Sequence, residues 1–275
     1  MSAGLRELPE PTDLHAWASA AHGQLDWGDR IPAKAEIAAQ YGEGATAESL
    51  RLLTAAARAE SRITAAVLTA IGSEATPYHL ANRMKSPQSL ARKLVRYQDL
   101  YKRTGGQPED VLRYTAAVEH PDDLTAAAVR TIDRLTGQQA EMEAAHHSYV
   151  DGSRYKGLHT SLRSYEQRYE LQVHSAESIR VKEQTTSLYE IERDLDQPRD
   201  VRGAARRECI ELSHAMTQPA GIDELTELGG IPVRAISYGK QAARAKGSQS
   251  AGQSPAKDQA QYRQPNQQRQ DGITR

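Results

Sequence analysis

The stretch Leu158-His-Thr-Ser-Leu-Arg-Ser-Tyr-Glu-Gln-Arg-Tyr-Glu-Leu-Gln-Val-His174 decides the fold class of this 275-residue chain. It predicts two antiparallel strands, over residues 158–164 and 169–174, joined near Glu166 and Gln167. Side chains alternate between the two faces of a strand, so the second strand turns its apolar residues to one face and Glu170, Gln172 and His174 to the other. We therefore expect a sheet with one polar face on which a ligand can bind.

The rest of the chain predicts helices around this sheet. Residues 13–71 are rich in Ala, Leu, Glu and Arg, and those from 47 to 71 carry apolar residues at helical spacing. Leu14, Trp17 and Trp27 are suited to burial against the rest of the protein. Further helices are predicted over 89–104, 122–135, 176–194 and 202–216, and further strands over 110–119 and 147–150. The pattern indicates an α+β fold, with a mixed sheet flanked by helices.

Composition limits the class of protein. Lys+Arg 35 against Asp+Glu 36 leaves a net charge of -1, so any anion site must be local rather than a property of the whole surface. The single cysteine, Cys209, excludes an intrachain disulfide and a thiolate zinc cluster. The chain shows neither a membrane-length apolar run nor a signal peptide. We expect a soluble protein with no membrane partner that acts in the cytoplasm and, if secreted, leaves by a signal-peptide-independent route.

The segment Arg83-Met-Lys-Ser-Pro-Gln-Ser-Leu-Ala-Arg-Lys93 predicts an anion site. Ser86 can cap a helix that has Pro87 in its first turn, with Arg83 and Lys85 just ahead of it. Ser89 and Lys93 lie four residues apart and share one face of that helix. Unpaired N–H groups at a helix start, flanked by cations, are suited to a polyphosphate, although a run of charge can also be a solvated surface.

Two carboxylates are candidates for a magnesium site. Asp110 and Glu170 each fall on a predicted strand. Phosphoryl transfer typically uses Mg²⁺ held by one or two carboxylates together with phosphate oxygens. Either residue alone is as readily explained as an ordinary surface acid.

Taken in chain order, these segments resemble the synthetase domain of the RelA/SpoT family, nearest to its secreted pyrophosphokinase and toxic small alarmone synthetase branch. The resemblance implies a nucleotidyltransferase-like fold in which Arg83, Lys85, Ser89 and Lys93 hold the phosphates of ATP. It further implies that Asp110 and Glu170 bind Mg²⁺ and that Gln172, on the Glu-x-Gln strand, belongs with them to the catalytic group.

The resemblance extends to an acceptor loop, Tyr149-Val-Asp-Gly-Ser-Arg-Tyr-Lys-Gly-Leu-His159. It implies that Tyr155 stacks on the acceptor base, that His159 lies beside the phosphates, and that Lys156 and His174 contribute to acceptor binding. The chain departs from the family pattern at five positions. Arg113 replaces a glycine and is assigned to the ATP phosphates, and Thr115 replaces an arginine. Arg154 replaces a glycine, Gly157 a serine and His174 an arginine.

The resemblance covers residues 55–200 and leaves an N-terminal helical region, 1–54, a C-terminal helical extension, 201–241, and a tail, 242–275. We expect the tail, which is polar and mildly basic, to be disordered.

Three functions remain open. The first is pyrophosphate transfer from ATP to the ribose 3′-hydroxyl of a purine nucleotide, which gives (p)ppGpp- or (p)ppApp-type products and AMP and could make the protein a toxin held in check by an antitoxin or immunity protein. The second keeps this chemistry but takes the 3′ end of tRNA as acceptor, along a basic track of Arg154, Lys156, Arg163, Arg180 and Lys182. The third is a non-catalytic interaction module with a decayed site.

Overall fold

The structure is a computed structural model that describes residues 2–194 and 196–238. Its α-helices are α1 Ala3–Arg6, α2 Pro11–Ser19, α3 Lys34–Tyr41, α4 Glu43–Ile71, α5 Pro87–Arg96, α6 Gln98–Thr104, α7 Leu124–Gly137, α8 Ala176–Arg193 and α9 Arg199–His214. Its strands are β1 Thr76–Pro77, β2 Leu112–Val118, β3 Glu141–His147, β4 Leu158–Ser164, β5 Gln167–Ser175, β6 Glu227–Leu228 and β7 Ile231–Ala235. The expected tail, 242–275, lies outside the described residues.

The strands form one mixed sheet in the order β1-β2-β5-β4-β3-β7-β6. β2 runs parallel to β5, and β3 parallel to β7, while the other neighbours are antiparallel. The predicted hairpin is confirmed as β4 and β5, which turn at Tyr165 and Glu166. Both turn residues have positive φ, +52° and +61°, as a tight turn between twisted antiparallel strands requires. The α+β class predicted from the sequence is confirmed.

The sequence prediction was wrong for one strand and for the C-terminal extension. The strand expected at 147–150 lies earlier, because His147 is the last residue of β3 and Ser148 already bonds to Gly157 across a loop. β3, with two glutamates and two alanines among its seven residues, has weak strand propensity of its own, but pairing with strands on both sides holds it in place. The C-terminal extension is helical only as far as His214, since β6 and β7 follow.

The helices agree more closely with the sequence prediction. The helix expected over 89–104 is divided into α5 and α6 at Tyr97, whose backbone leaves the helical region at φ -112° and ψ 19°. Ser86 caps α5 as predicted, because its side chain accepts a hydrogen bond from the Ser89 N–H. The long helix α4 buries the apolar residues that lie at helical spacing, namely Leu50, Leu53, Ala57, Ile63, Val67 and Ile71.

The N-terminal helices share one hydrophobic core with the sheet. Leu14 and Trp27 are buried as expected, and the Trp27 indole Nε1 donates to the Met84 carbonyl at 2.9 Å. Trp17 is 48 % exposed, so its predicted burial was wrong. The buried stripe of α2 consists of Pro11, Leu14 and Ala18, and Trp17 lies beside it.

A buried ion pair joins α4 to the segment that leads into α5. The Nε of Arg83 donates to Glu60 Oε1 at 2.5 Å, and neither side chain is more than 2 % exposed. The remaining guanidinium N–H groups donate to the carbonyls of Leu80, Ala18 and Gly23. Arg83 therefore connects the N-terminal helices to the start of segment 83–93, the anion site predicted from the sequence.

None of the helices within residues 2–194 and 196–238 combines the length and the apolar content that crossing a bilayer demands.

Substitution of Arg83 should destabilise the protein strongly. Arg83→Met leaves Glu60 buried without its counter-charge, and we expect a loss of about 3–5 kcal/mol in the free energy of unfolding, measured by urea denaturation. The double variant Arg83→Met/Glu60→Met should recover much of that loss because no charge stays buried. Arg51→Met, which breaks the exposed Arg51–Glu48 pair, is the matched control and should change the stability by less than about 1 kcal/mol. A loss for Arg83→Met as small as the control's would contradict the anchoring role.

Candidate functional site

The site lies on the polar face of the sheet. In β2 the apolar side chains point into the core while Arg113 and Thr115 point the other way, and β5 places Glu170, Gln172 and His174 on that same face. The pairing of β2 with β5 sets Arg113 directly beside Glu170. All three β5 residues are nonetheless almost completely buried. Polar side chains held out of water on one sheet face are characteristic of a binding site.

Asp110, just before β2, receives two lysines from the α5 segment. Lys93 Nζ donates to Asp110 Oδ1, and Lys85 Nζ lies 3.2 Å from Oδ2. The three side chains are 5 % exposed or less. Burial acts to raise the pKa of Asp110, but the two ammonium groups outweigh it and hold that pKa below its usual range. Burial lowers the pKa of Lys93 to about 8 in spite of the pairing with Asp110.

Glu170 forms the second half of the cluster. Its Oε1 accepts a hydrogen bond from Gln172 Nε2 at 2.6 Å and lies 3.0 Å from Nδ1 of His159 on β4. The pairing of β4 with β5 sets His159 opposite Gln172 and produces this contact. The structure thus brings together three predicted site residues through one carboxylate oxygen.

Tyr155 and His174 form a pair next to Glu170. The Tyr155 hydroxyl lies 2.9 Å from His174 Nε2 and 3.4 Å from Gln172 Oε1. Burial holds the pKa of His174 well below its usual range, and the charges of Lys182, His159 and Arg113 add to this effect. His174 is therefore neutral at neutral pH. The Tyr155 ring is only 8 % exposed and packs between His159, His174 and Tyr238.

Gly157 allows the two histidines to approach. A Cβ at this position would lie 2.5 Å from His174 Cε1 and 3.0 Å from His159 Nε2. Real Cβ atoms essentially never come so close, so His174 must move if position 157 carries any side chain. Positions 157 and 174 are therefore in contact with each other.

The predicted residues that remain are Arg83, Lys156 and Ser89, of which Ser89 lies in the first turn of α5 as expected. The guanidinium of Arg83 is bound to Glu60 and to backbone carbonyls, away from the Asp110 cluster. Lys156 is buried, and the carboxylates acting on its ammonium are those of Asp151 and Glu177. Ser89 lies half-buried in the first turn of α5, and its backbone N–H donates to the Ser86 side chain.

The structure also adds residues that sequence reasoning missed as members of the site. His146 stacks parallel to His159 at 4.9 Å, and its Nε2 lies 3.3 Å from the Tyr238 hydroxyl. Ser178 Oγ lies 3.1 Å from His174 Nδ1, and Lys182 lies over the Tyr155 ring. A sequence signal existed for the last two, because Ser178 and Lys182 are four residues apart and so share one face of α8.

The carboxylates suit a magnesium ion bound together with substrate. Asp110 Oδ2 is buried and lies 3.2 Å from Lys85 Nζ, and Glu170 lies on the strand beside β2. No group of three or more His, Cys, Asp or Glu side chains with metal-binding geometry occurs among the described residues. Two carboxylates without further protein ligands match the preference of Mg²⁺, which usually keeps waters and binds substrate phosphates.

Comparison with known proteins gives weak likenesses to solved structures. Neither a protein-family model nor a curated protein matches the chain. The small alarmone synthetase 1 of Bacillus subtilis, bound to its product pppGpp, is 12 % identical over 63 % of this chain and 90 % of its own, with a TM-score of 0.38. The small alarmone synthetase 2 of Bacillus subtilis is 15 % identical over 61 % of this chain and 90 % of its own, also at 0.38.

A GTP pyrophosphokinase family protein from Streptococcus pneumoniae is 14 % identical over 70 % of this chain and 91 % of its own, with a TM-score of 0.37. At these TM-scores the likeness does not carry a functional assignment, which depends on the site itself.

The contact between Gly157 and His174 predicts coupled substitutions. Gly157→Ser should displace His174, break its contact with the Tyr155 hydroxyl and lower the free energy of unfolding. In a His174→Ala background the same change should cost less, with a coupling energy of about 0.5–3 kcal/mol in a double-mutant cycle. Gly44→Ser is the control, because a Cβ there meets nothing within 4 Å. Additive effects at 157 and 174 would rule out the clash.

Proposed function

We propose that the protein is an ATP-dependent pyrophosphokinase of the RelA/SpoT type. The observation that supports this most is the buried cluster in which Lys85, just before α5, and Lys93, in its last turn, meet Asp110 next to Glu170 on the neighbouring parallel strand. A structural core has no need for two lysines on one buried carboxylate, since burying charge is costly. Two buried ammonium groups that face two acids suit a polyphosphate substrate with its metal.

In this proposal the lysines exchange partners when ATP binds. Lys85 and Lys93 neutralise Asp110 in the free protein and turn to the phosphate oxygens of ATP in the complex, with Arg113 beside them. A magnesium ion held by Asp110 and Glu170 would supply charge neutralisation at the phosphates. Charge-assisted hydrogen bonds in a site without water are stronger than in solvent, so positioning and electrostatics supply most of the rate.

The transfer itself needs no covalent intermediate. The oxygen of the acceptor 3′-hydroxyl forms a bond to the β-phosphorus of ATP, the bond from that phosphorus to the α–β bridging oxygen breaks, and AMP leaves. Glu170 accepts the proton of the hydroxyl, and Gln172 and His159 hold the carboxylate in place.

Substitution of the cluster should abolish activity without unfolding the protein. Lys85→Ala and Glu170→Gln each remove a group that acts on the substrates, and we expect AMP release from ATP plus a purine nucleotide to fall by at least about 100-fold. Liquid chromatography with mass spectrometry measures AMP and the pyrophosphorylated product. Lys102→Ala and Glu190→Gln, at exposed positions, are the matched controls and should retain full turnover. Normal turnover in either cluster variant would eliminate the proposal.

The acceptor is proposed to be a free purine nucleotide rather than tRNA. A tRNA-binding surface needs exposed cations, yet three members of the expected basic track, Arg154, Lys156 and Lys182, are buried. Arg154 forms an ion pair with Glu192 and lies over the Tyr189 ring. These side chains are therefore not presented to a large polyanion.

Product analysis separates these acceptors. Incubation with ATP labelled at the β-phosphate and either GDP, GTP, ADP, ATP alone or deacylated tRNA should place the label in small molecules only. Label in tRNA would overturn the choice of acceptor while keeping the chemistry. Failure to bind ATP with Mg²⁺ at millimolar concentration would instead support the non-catalytic interaction module. Toxicity and an antitoxin or immunity partner stay predictions.

A further inference from the structure

Lys182 is a buried cation that the mechanism above does not use. It lies on α8 with 9 % of its surface exposed, and its ammonium makes no hydrogen bond or ion pair with any residue in the described ranges 2–194 and 196–238. Its one close contact there is with the Tyr155 ring, whose centroid is 6.0 Å from Nζ. Lysines are almost never buried without a partner, because desolvation of the charge is costly.

The surroundings of Lys182 are short of negative charge. Burial and, after it, the charge of Arg113 lower the pKa of Lys182 to about 7, although the carboxylates of Glu170 and Glu183 act in the opposite direction. Neither carboxylate is within ion-pair distance of the ammonium. Lys85 and Lys93, by contrast, both reach Asp110. The four basic side chains of the site, Lys85, Lys93, Arg113 and Lys182, thus outnumber the three carboxylates of Asp110, Glu170 and Glu183.

The fold holds Lys182 toward the acceptor side of the site. Ser175 caps α8 through the Ser178 N–H, and Ser178 Oγ lies 3.1 Å from His174 Nδ1. Because Lys182 follows Ser178 by one helical turn, it projects from the same face, over Tyr155. The Ser175–Ser178 cap therefore fixes the position of this ammonium.

We propose that Lys182 forms an anion subsite that receives a phosphate group of the acceptor nucleotide. The inference rests on the proposed function, because it names a substrate contact of that site. An acceptor phosphate would supply the negative charge that the surroundings lack and would bring the ribose to the Glu170 side. Lys182 is then a residue that selects phosphorylated acceptors over nucleosides.

Steady-state kinetics test this assignment. With ATP as donor, the wild type should use nucleoside di- or triphosphates far better than the corresponding nucleoside. Lys182→Met should raise the KM for the phosphorylated acceptor by about 10- to 100-fold, as expected for one lost charge-assisted hydrogen bond, with the KM for ATP unchanged. Lys182→Arg should recover most of the loss. Lys102→Met, the same change at an exposed lysine, should leave both KM values as they are.

Stability measurements separate this role from a structural one. Since Lys182 is desolvated and unpaired, Lys182→Met should melt at the same temperature as the wild type or higher. An unchanged acceptor KM in Lys182→Met would overturn the subsite even if the protein is an active pyrophosphokinase. A lower melting temperature together with equal rises in both KM values would also overturn it, because it would show a packing role.

A binding experiment keeps the subsite testable if the proposed function fails. If the wild type releases no AMP with any acceptor, isothermal titration with inorganic pyrophosphate still probes the anion site. Binding to the wild type that Lys182→Met weakens by about 10-fold or more would support the subsite in a protein with another function. Equal binding by both proteins, or binding by neither, would overturn it.

Discussion

A buried ion pair between Arg83 and Glu60 holds the helical layer and the site segment together. The guanidinium donates hydrogen bonds to Glu60 on α4 and to the backbone carbonyls of Ala18, Gly23 and Leu80. The Arg83 carbonyl accepts a hydrogen bond from the Arg113 N–H at 2.8 Å. One residue thus sets the distance between α4 and β2. Because the cost of a buried charge is offset only when every donor is satisfied, these elements cannot shift independently. Lys85 follows two residues later, so its position depends on the Arg83–Glu60 ion pair.

The charged cluster has a consequence for binding that follows from its burial. Lys85 and Lys93 are already desolvated and already fixed by Asp110, so under the proposed function a phosphate that replaces the carboxylate does not have to order a flexible side chain. The same groups in an exposed loop would lose rotamer entropy on binding and would be screened by salt. Pre-organisation of this kind favours electrostatic catalysis over tight ground-state binding.

The sequence predicted those parts of the fold in which local chemistry agrees with the final environment. Strict alternation in Tyr169–His174 located β5 and its polar face, and Ser86 with Pro87 located the start of α5. It failed for β3, whose alanines form a strand because neighbours on both sides pair with it, and for Trp17, which lies beside the buried stripe of α2. Arg83 shows the limit most directly: its charge was evident, but its partner, 23 residues earlier on α4, is chosen by tertiary packing.

The close approach of Gly157 to His174 restricts the order in which this site can change over evolutionary time. A lineage that begins from this pair cannot gain a side chain at 157 until position 174 has lost its imidazole or moved it, because the two would occupy the same volume. If His174 is replaced first, the intermediate has no steric clash, although the Tyr155 hydroxyl loses its contact with the His174 imidazole. In relatives with this local geometry, histidine at 174 therefore requires glycine at 157, whereas glycine at 157 does not require histidine at 174.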